Sequence, residues 1–152
     1  MIVSLGADHA GFPLKQQVHD AIVALGHEVV DCGTDGTEPV DFPDITAATC
    51  APVLAGRADR AILVCGTGAG AIMAANKIPG IRCGLANEPY SAHQAVEHDD
   101  ANAIALGAWL TPRAFVPEIV EEFLTATFDD DDDTRRRVAK LAALDDRTYP
   151  LP

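Results

Sequence analysis

The stretch "ILVCGTGAGAIMAANK" at residues 62–77 decides the fold. An apolar run ends at Cys65, glycines follow at positions 66, 68 and 70, and a small-residue segment with helical character comes next. Strand, glycine turn and helix in immediate succession form a βα unit, and such units come in series. Working outward from it, "MIVSLGA", "HEVVDCG", "IRCGLA" and "NAIALGA" read as further strands. The segments "FPLKQQVHDAIVALG", "FPDITAATCAPVLAG", "PYSAHQAVEHDD" and "TPRAFVPEIVEEFLTATF" read as helices between or after them.

Five strand–helix units predict an α/β fold: a three-layer, Rossmann-like open sheet of five parallel strands with helices on both faces. Pro13, Pro43, Pro89 and Pro112 fall where helices should begin, the position at which a missing N–H costs least. Gly26, Gly56 and Gly80 fall just past helix ends. Residues 1–128 form the sheet domain, and residues 129–152 add an acidic linker and a C-terminal helix to the same domain. The run Asp129–Asp133 reads as a solvated linker with a helix cap at Asp133 or Thr134. Val138, Leu141 and Leu144 then share one helix face, with no sixth strand to cover, so this helix is expected to dock on a partner subunit of a homodimer.

With 152 residues the chain is long enough for one ordinary core, and 48% of it is apolar with few aromatics, which suits a parallel sheet under helices. A formal net charge of −12 argues against nucleic acid or an anionic membrane as partner and favours a small metabolite. Cys32, Cys50, Cys65 and Cys83 form no CxxC pair, so they read as reduced thiols rather than zinc ligands or disulfides. The N-terminus has no basic leader, and no run approaches the ~18 apolar residues of a membrane span. A cytoplasmic protein is the expectation.

In an open α/β sheet the ligand crevice lies at the carboxyl ends of the strands. Three polar clusters are expected to converge there: Asp8 with His9, Cys65 to Gly70, and His98 to Asn102. A thiol at the end of a buried strand, facing N–H groups and a helix start, is expected to ionise more readily than usual. The plainer reading makes Cys65 a small core hydrophobe, as Cys32, Cys50 and Cys83 are taken to be; the glycines favour function, because a backbone that a ligand approaches closely needs them. A cysteine phosphatase loop would want arginine six positions on, where Ala71 stands, and a dinucleotide loop would want GxGxxG after the first strand. Proton transfer next to a carbonyl uses every feature: Cys65 as base, with the loop N–H groups and the Thr67 hydroxyl stabilising an enediolate. His93, Glu97 and His98 are badly spaced for a metal on one helix face, and no metal is expected.

The motifs "GADHAGFPLK" (6–15), "CGTGAGAIMAANK" (65–77), "EPYSA" (88–92) and "EHDDANAIALG" (97–107), in this order and spacing, resemble the type B ribose-5-phosphate isomerase and galactose-6-phosphate isomerase family. The similarity runs from residue 1 to about residue 145. It implies a cofactor-free aldose–ketose isomerase, a dimer or dimer of dimers, with active sites shared between subunits. By position, the resemblance makes Cys65 the base between carbons 1 and 2, and Thr67 with Gly66, Gly68 and Gly70 the enediolate holder. Asp8 then handles hydroxyl protons, and His98, from the partner, opens the sugar ring, since an imidazole both gives and takes a proton near neutrality. His9 and Arg137 match phosphate contacts, and Asn102 supports the site.

Four positions depart from the family pattern around the substrate. Phe42 stands where tyrosine is usual, Asp99 where asparagine follows the histidine, and Trp109 and Asp133 where arginines bind phosphate. Two lost charged hydrogen bonds at about 1.5–3 kcal/mol each amount to about two to four decades of phosphate affinity. Either Arg113, Arg135 or Arg136 compensates, or the substrate is not the usual pentose phosphate. Ribose 5-phosphate to ribulose 5-phosphate leads; a hexose or tetrose phosphate or an unphosphorylated sugar comes next, and a non-catalytic anion- or nucleotide-binding module is the reading from another class.

Overall fold

The computed structural model describes residues 1–145 of the chain. The elements are β1 (Ile2–Ala7), α1 (Phe12–Ala24), β2 (Glu28–Asp31), α2 (Phe42–Leu54), β3 (Arg60–Cys65), α3 (Ala69–Ala75), β4 (Cys83–Leu85), α4 (Pro89–Asp99), β5 (Ala103–Gly107), α5 (Val116–Thr125) and α6 (Asp132–Asp145). All strands are parallel, in the order β2-β1-β3-β5-β4. The sequence therefore named each strand and placed the sheet class correctly. The chain steps outward from β1 to β2, then crosses back to β3 and continues the other way, so the switch point lies between β1 and β3.

Strand alternation gives the two faces of the sheet different characters. Val3, Leu5, Ile62, Val64, Ile104 and Leu106 point to α1, α4 and α5, into a cluster that includes the fully buried Phe123 and Ile119. Ala61, Leu63, Ala103 and Ala105 point the other way, against α2 and α3, with Cys50 and Ala75. Small strand residues let this second layer come close: Ser4 Oγ donates to Thr49 O at 2.7 Å. Cys65 continues the small-residue face at the carboxyl end of β3 and so emerges on the side of α3.

Three local expectations change. The segment 111–128 is not one helix: a 3₁₀ turn (Arg113–Phe115) precedes α5, because Pro117 occupies the first turn and restarts the helix at Val116. The cap of α6 is Asp131, whose Oδ1 accepts from the N–H groups of Asp133 (2.8 Å) and Thr134 (2.7 Å). Gly80 (φ +87°) lies beyond a turn that follows the α3 cap at Asn76, whereas Gly26 and Gly56 directly follow the caps of α1 and α2. The helix α6 rests against α4 of its own chain, with Asp129 N–H on Glu97 O, yet Leu141 and Leu144 stay about half exposed. Residues 146–152 of the expected C-terminal segment lie outside the described residues. Among the described residues no helix is long and apolar enough to cross a membrane.

Burial pushes the Cys83 thiol up to about 12 and that of Cys50 up to about 11, from 9.0. A raised folded-state value means that the protonated thiols favour folding fully below pH 9 and lose this contribution as pH rises toward those values. Urea titrations from pH 9 upward should show the wild type losing stability more steeply than a Cys83→Ala variant, by up to about 1 kcal/mol per pH unit. Parallel slopes for the two proteins would contradict this.

Candidate active site

The carboxyl ends of β1 and β3 meet at the switch point, where Asp8 N–H donates to Val64 O at 3.1 Å. Asp8 is 5% exposed, and its Oδ1 accepts from the N–H groups of Ala10 (2.9 Å) and Gly11 (2.8 Å) in the turn into α1. Two charge-assisted bonds fix the carboxylate in one orientation. In that orientation it lies close enough to the Cys65 thiol to bear on its ionisation, as do the N–H groups of Gly66 and Gly68 from the loop.

The balance of these contacts overturns the expected acidic thiol. Burial first, and then the Asp8 carboxylate as acceptor and as like charge, push Cys65 above its ordinary value; the Gly66 and Gly68 N–H groups pull it down without prevailing. The helix expected to help has only seven residues, and its macrodipole is correspondingly small. Cys65 therefore rests as a half-buried thiol whose proton the neighbouring carboxylate helps to hold on the sulfur.

The alternate glycines have a steric reason that the sequence did not reveal. A Cβ at Gly66 would lie 2.9 Å from the Trp109 indole, one at Gly68 would lie 2.6 Å from Leu85 Cδ1, and one at Gly70 would lie 3.2 Å from the Phe42 ring. One apolar side chain thus packs on each glycine, and all three remain partly exposed, Trp109 by 72%. Gly68 also turns the chain with φ +84°. Thr67, between them, is exposed; its Oγ1 accepts from Ala69 N–H at 3.3 Å, so its own O–H is available to donate. The thiol, the loop amides and Thr67 thus form one cluster at the carboxyl end of β3, under an apolar collar.

His9 stands beside it, its Nδ1 accepting Val40 N–H at 3.2 Å, which leaves Nε2–H as a donor. The third cluster does not converge. Cys65 pairs with Gly107 and Ala61 with Ala103, so the amino end of β5 lies four residue steps, about 13 Å, below the thiol. His98 and Asp99 end α4 below that, on the opposite edge of the sheet, and Asn102 ties the Gly80 and Arg82 backbone there. Helices after parallel strands run antiparallel to them, so residues at a helix end cannot join the crevice of their own chain. Asp99 instead lines a cavity of about 500 Å³ with Arg82, Cys83, Leu141 and Leu144. Arg137 is exposed on α6, 3.4 Å from Asp133; Arg135 pairs with Asp130 and Asp132, and Arg136 with Asp133. Of the possible compensating arginines, Arg113 alone belongs to the thiol's edge, where its guanidinium donates to Pro13 O at 3.0 Å. His93 pairs with Glu122 at 2.7 Å, and among the described residues no group of three or more His, Cys, Asp or Glu could hold a metal ion.

Comparison with known proteins shows what this crevice belongs to. The family model of ribose/galactose isomerases matches residues 3–141. The chain belongs to the ribose/galactose isomerase family. It is 36% identical over 145 residues to ribose-5-phosphate isomerase B of Escherichia coli (strain K12), covering 95% of this chain and 97% of that one. It is 35% identical to the 4-deoxy-4-sulfo-D-erythrose isomerase of a Clostridium species (strain MSTE9), covering 84% and 81%. Among solved structures, ribose-5-phosphate isomerase B of Clostridium thermocellum superposes with a TM-score of 0.92 at 38% identity, covering 97% of this chain and 99% of that one. As a member of this isomerase family the protein is an aldose–ketose isomerase.

Sequence reasoning missed two supports of this isomerase crevice. Lys15 Nζ donates to Thr34 O and pairs with Asp31, both at 2.7 Å, pinning the loop that carries Val40 to His9. Asn87 Oδ1 accepts from Gly107 N–H and Thr111 Oγ1, both at 2.8 Å. The first had a signal in the quoted "FPLK", since a lysine at the start of a helix runs against the macrodipole. The second had none. Asp8→Asn should keep both bonds at Oδ1 while removing the charge, so the pH midpoint of Cys65 alkylation, read by peptide mass spectrometry, should fall below that of the wild type. An unchanged or higher midpoint would show that the carboxylate does not hold the proton on the sulfur.

Proposed function

We propose that the protein interconverts ribose 5-phosphate and ribulose 5-phosphate through a cis-enediolate, with Cys65 as the carbon base. The observation that carries this reading is the placing of Cys65, at the carboxyl end of β3, beside Asp8 and the Gly66 and Gly68 amides. The thiol proton first moves to Asp8, leaving a thiolate and a carboxylic acid. Cys65 then takes the proton from carbon 2 of the open-chain aldose while Asp8 protonates the oxygen on carbon 1. The Thr67 O–H and the loop N–H groups hold the oxygens as charge develops. Asp8 next accepts the proton from the oxygen on carbon 2, and Cys65 returns its proton to carbon 1. The proton on Asp8 then returns to Cys65, so the ketose leaves with both groups restored to their starting forms, and no electron or atom is drawn from elsewhere.

His9, through Nε2–H, suits an anionic end of the substrate. The family resemblance assigns ring opening to His98, and Asp99 and Arg137 to the substrate. All three sit on the far edge or on α6, so they would complete the crevice of a second copy. The half-exposed Leu141 and Leu144 supply apolar surface for such a homodimer. Active-site sharing has a direct test. Cys65→Ala and His98→Ala variants, each inactive alone, should regain roughly a quarter of wild-type activity after unfolding and refolding together, since half of the dimers are mixed and each then has one intact site. No recovery from a refolded mixture of correct size would place both residues in one subunit's site.

The same reaction on another sugar, whether a hexose or tetrose phosphate or an unphosphorylated sugar, is favoured by Trp109 lying on Gly66 and by Asp133 pairing with Arg136 and Arg137. Steady-state rates on paired phosphorylated and free aldoses decide between the two readings. If Trp109 excludes a phosphate, Trp109→Arg should improve kcat/KM for the phosphorylated aldose by about 10-fold or more. A wild-type preference for ribose 5-phosphate that this change leaves unaltered would favour the leading substrate.

A further inference from the structure

The turn after β5 grips the Cys65 loop from behind. Ala108 N–H donates to Cys65 O at 2.8 Å, and Trp109 N–H donates to Gly66 O at 3.0 Å. Gly107 closes the contact: a Cβ there would come within 2.6 Å of Thr67 O, so the two backbones touch. Three consecutive residues of the turn thus set the positions of Cys65, Gly66 and Thr67, which in the proposed mechanism present a sulfur to the reacting carbons and an N–H and a hydroxyl to their oxygens. The turn closes on itself as well, with Leu110 and Thr111 N–H groups both donating to Gly107 O, at 2.9 and 2.8 Å.

One side-chain atom ties the two ends of that turn together. Asn87 Oδ1 accepts the N–H of Gly107 at its start and the hydroxyl of Thr111 at its end, both at 2.8 Å. Thr111 is 5% exposed, and Gly107 is buried, so neither donor has ready access to water as an alternative. Asn87 itself is anchored by its neighbours, since Ala86 N–H donates to Ala105 O at 2.9 Å and the Glu88 carboxylate caps α4. With its oxygen used twice, the side chain bears directly on the turn. We infer that Asn87 is a positioning residue for the isomerisation, acting through Gly107, Ala108 and Trp109 to hold the Cys65–Thr67 backbone in its productive geometry. This rests on the proposed role of that loop in holding the enediolate.

The test compares Asn87→Ala and Thr111→Val with the wild type in the isomerase assay, once the wild type is shown to turn over its aldose. Losing Oδ1 removes the side-chain anchor at both ends of the turn, so Asn87→Ala should lower kcat by about 10- to 100-fold with KM changed less than about threefold. Thr111→Val removes one of the two bonds at nearly constant volume and should give a smaller fall in the same direction. Because the Gly66 and Gly68 amides stabilise the thiolate, Asn87→Ala should also move the Cys65 alkylation midpoint to higher pH, a change that a mere loss of thermal stability does not produce. Should Asn87→Ala fail to fold, Thr111→Val carries both readouts. Folded variants with wild-type kcat and an unmoved alkylation midpoint would overturn the inference. A wild type that turns over no aldose would instead overturn the proposed function and with it this role.

Discussion

A carboxylate pressed against a thiol is an unfavourable pairing for an ionised sulfur, and the rest of the crevice is organised around it. Asp8 cannot turn away, because two backbone N–H groups hold its Oδ1 at the start of α1. Cys65 cannot retreat, because it ends a strand whose partners on both sides are in register. The outcome is a thiol kept protonated by burial and by its neighbour, with two loop amides favouring the opposite state. Taking the proton off that sulfur therefore costs free energy, which in the proposed mechanism the loop amides offset as the thiolate forms.

The fold delivers that pair through the asymmetry of its sheet. Large aliphatic residues fill the face under α1, α4 and α5, whereas alanines line the face under α2 and α3. Cys65 belongs to the second series, and the loop beyond it is confined between Trp109, Leu85 and Phe42, one against each glycine. Rigid backbone with exposed N–H groups is the form of electrostatic stabilisation that needs no rearrangement during reaction. Packing thus contributes to chemistry here by limiting where the amides can point.

The crevice of one chain is open on one side. His98, Asp99 and Arg137 lie on the far edge of the sheet or on α6, away from the thiol of their own chain. Parallel topology enforces this, since every βα unit puts its helix end at the edge where the next strand begins. A second copy is the economical way to bring such residues to a thiol, and in the proposed mechanism it supplies the ring-opening group. The acidic residues 130–133 meanwhile engage three of the arginines on α6, leaving Arg113 as the arginine with a place on the thiol's edge.

Sequence alone determined the five strands, their parallel order of units, the helix starts at Pro13, Pro43 and Pro89, and the place of Cys65 at a strand end before its glycines. These are local properties: apolar period, missing N–H groups and residues without Cβ act within a few positions of themselves. Only tertiary structure decided that Asp8 raises the thiol's proton affinity, that His98 lies on the opposite edge, that each glycine seats an apolar ring or branch, and that Asn87 holds the turn behind the loop. Those facts depend on groups tens of residues apart becoming neighbours with their water removed. Their strength and sign are set by that proximity and burial, which no residue carries in its own identity.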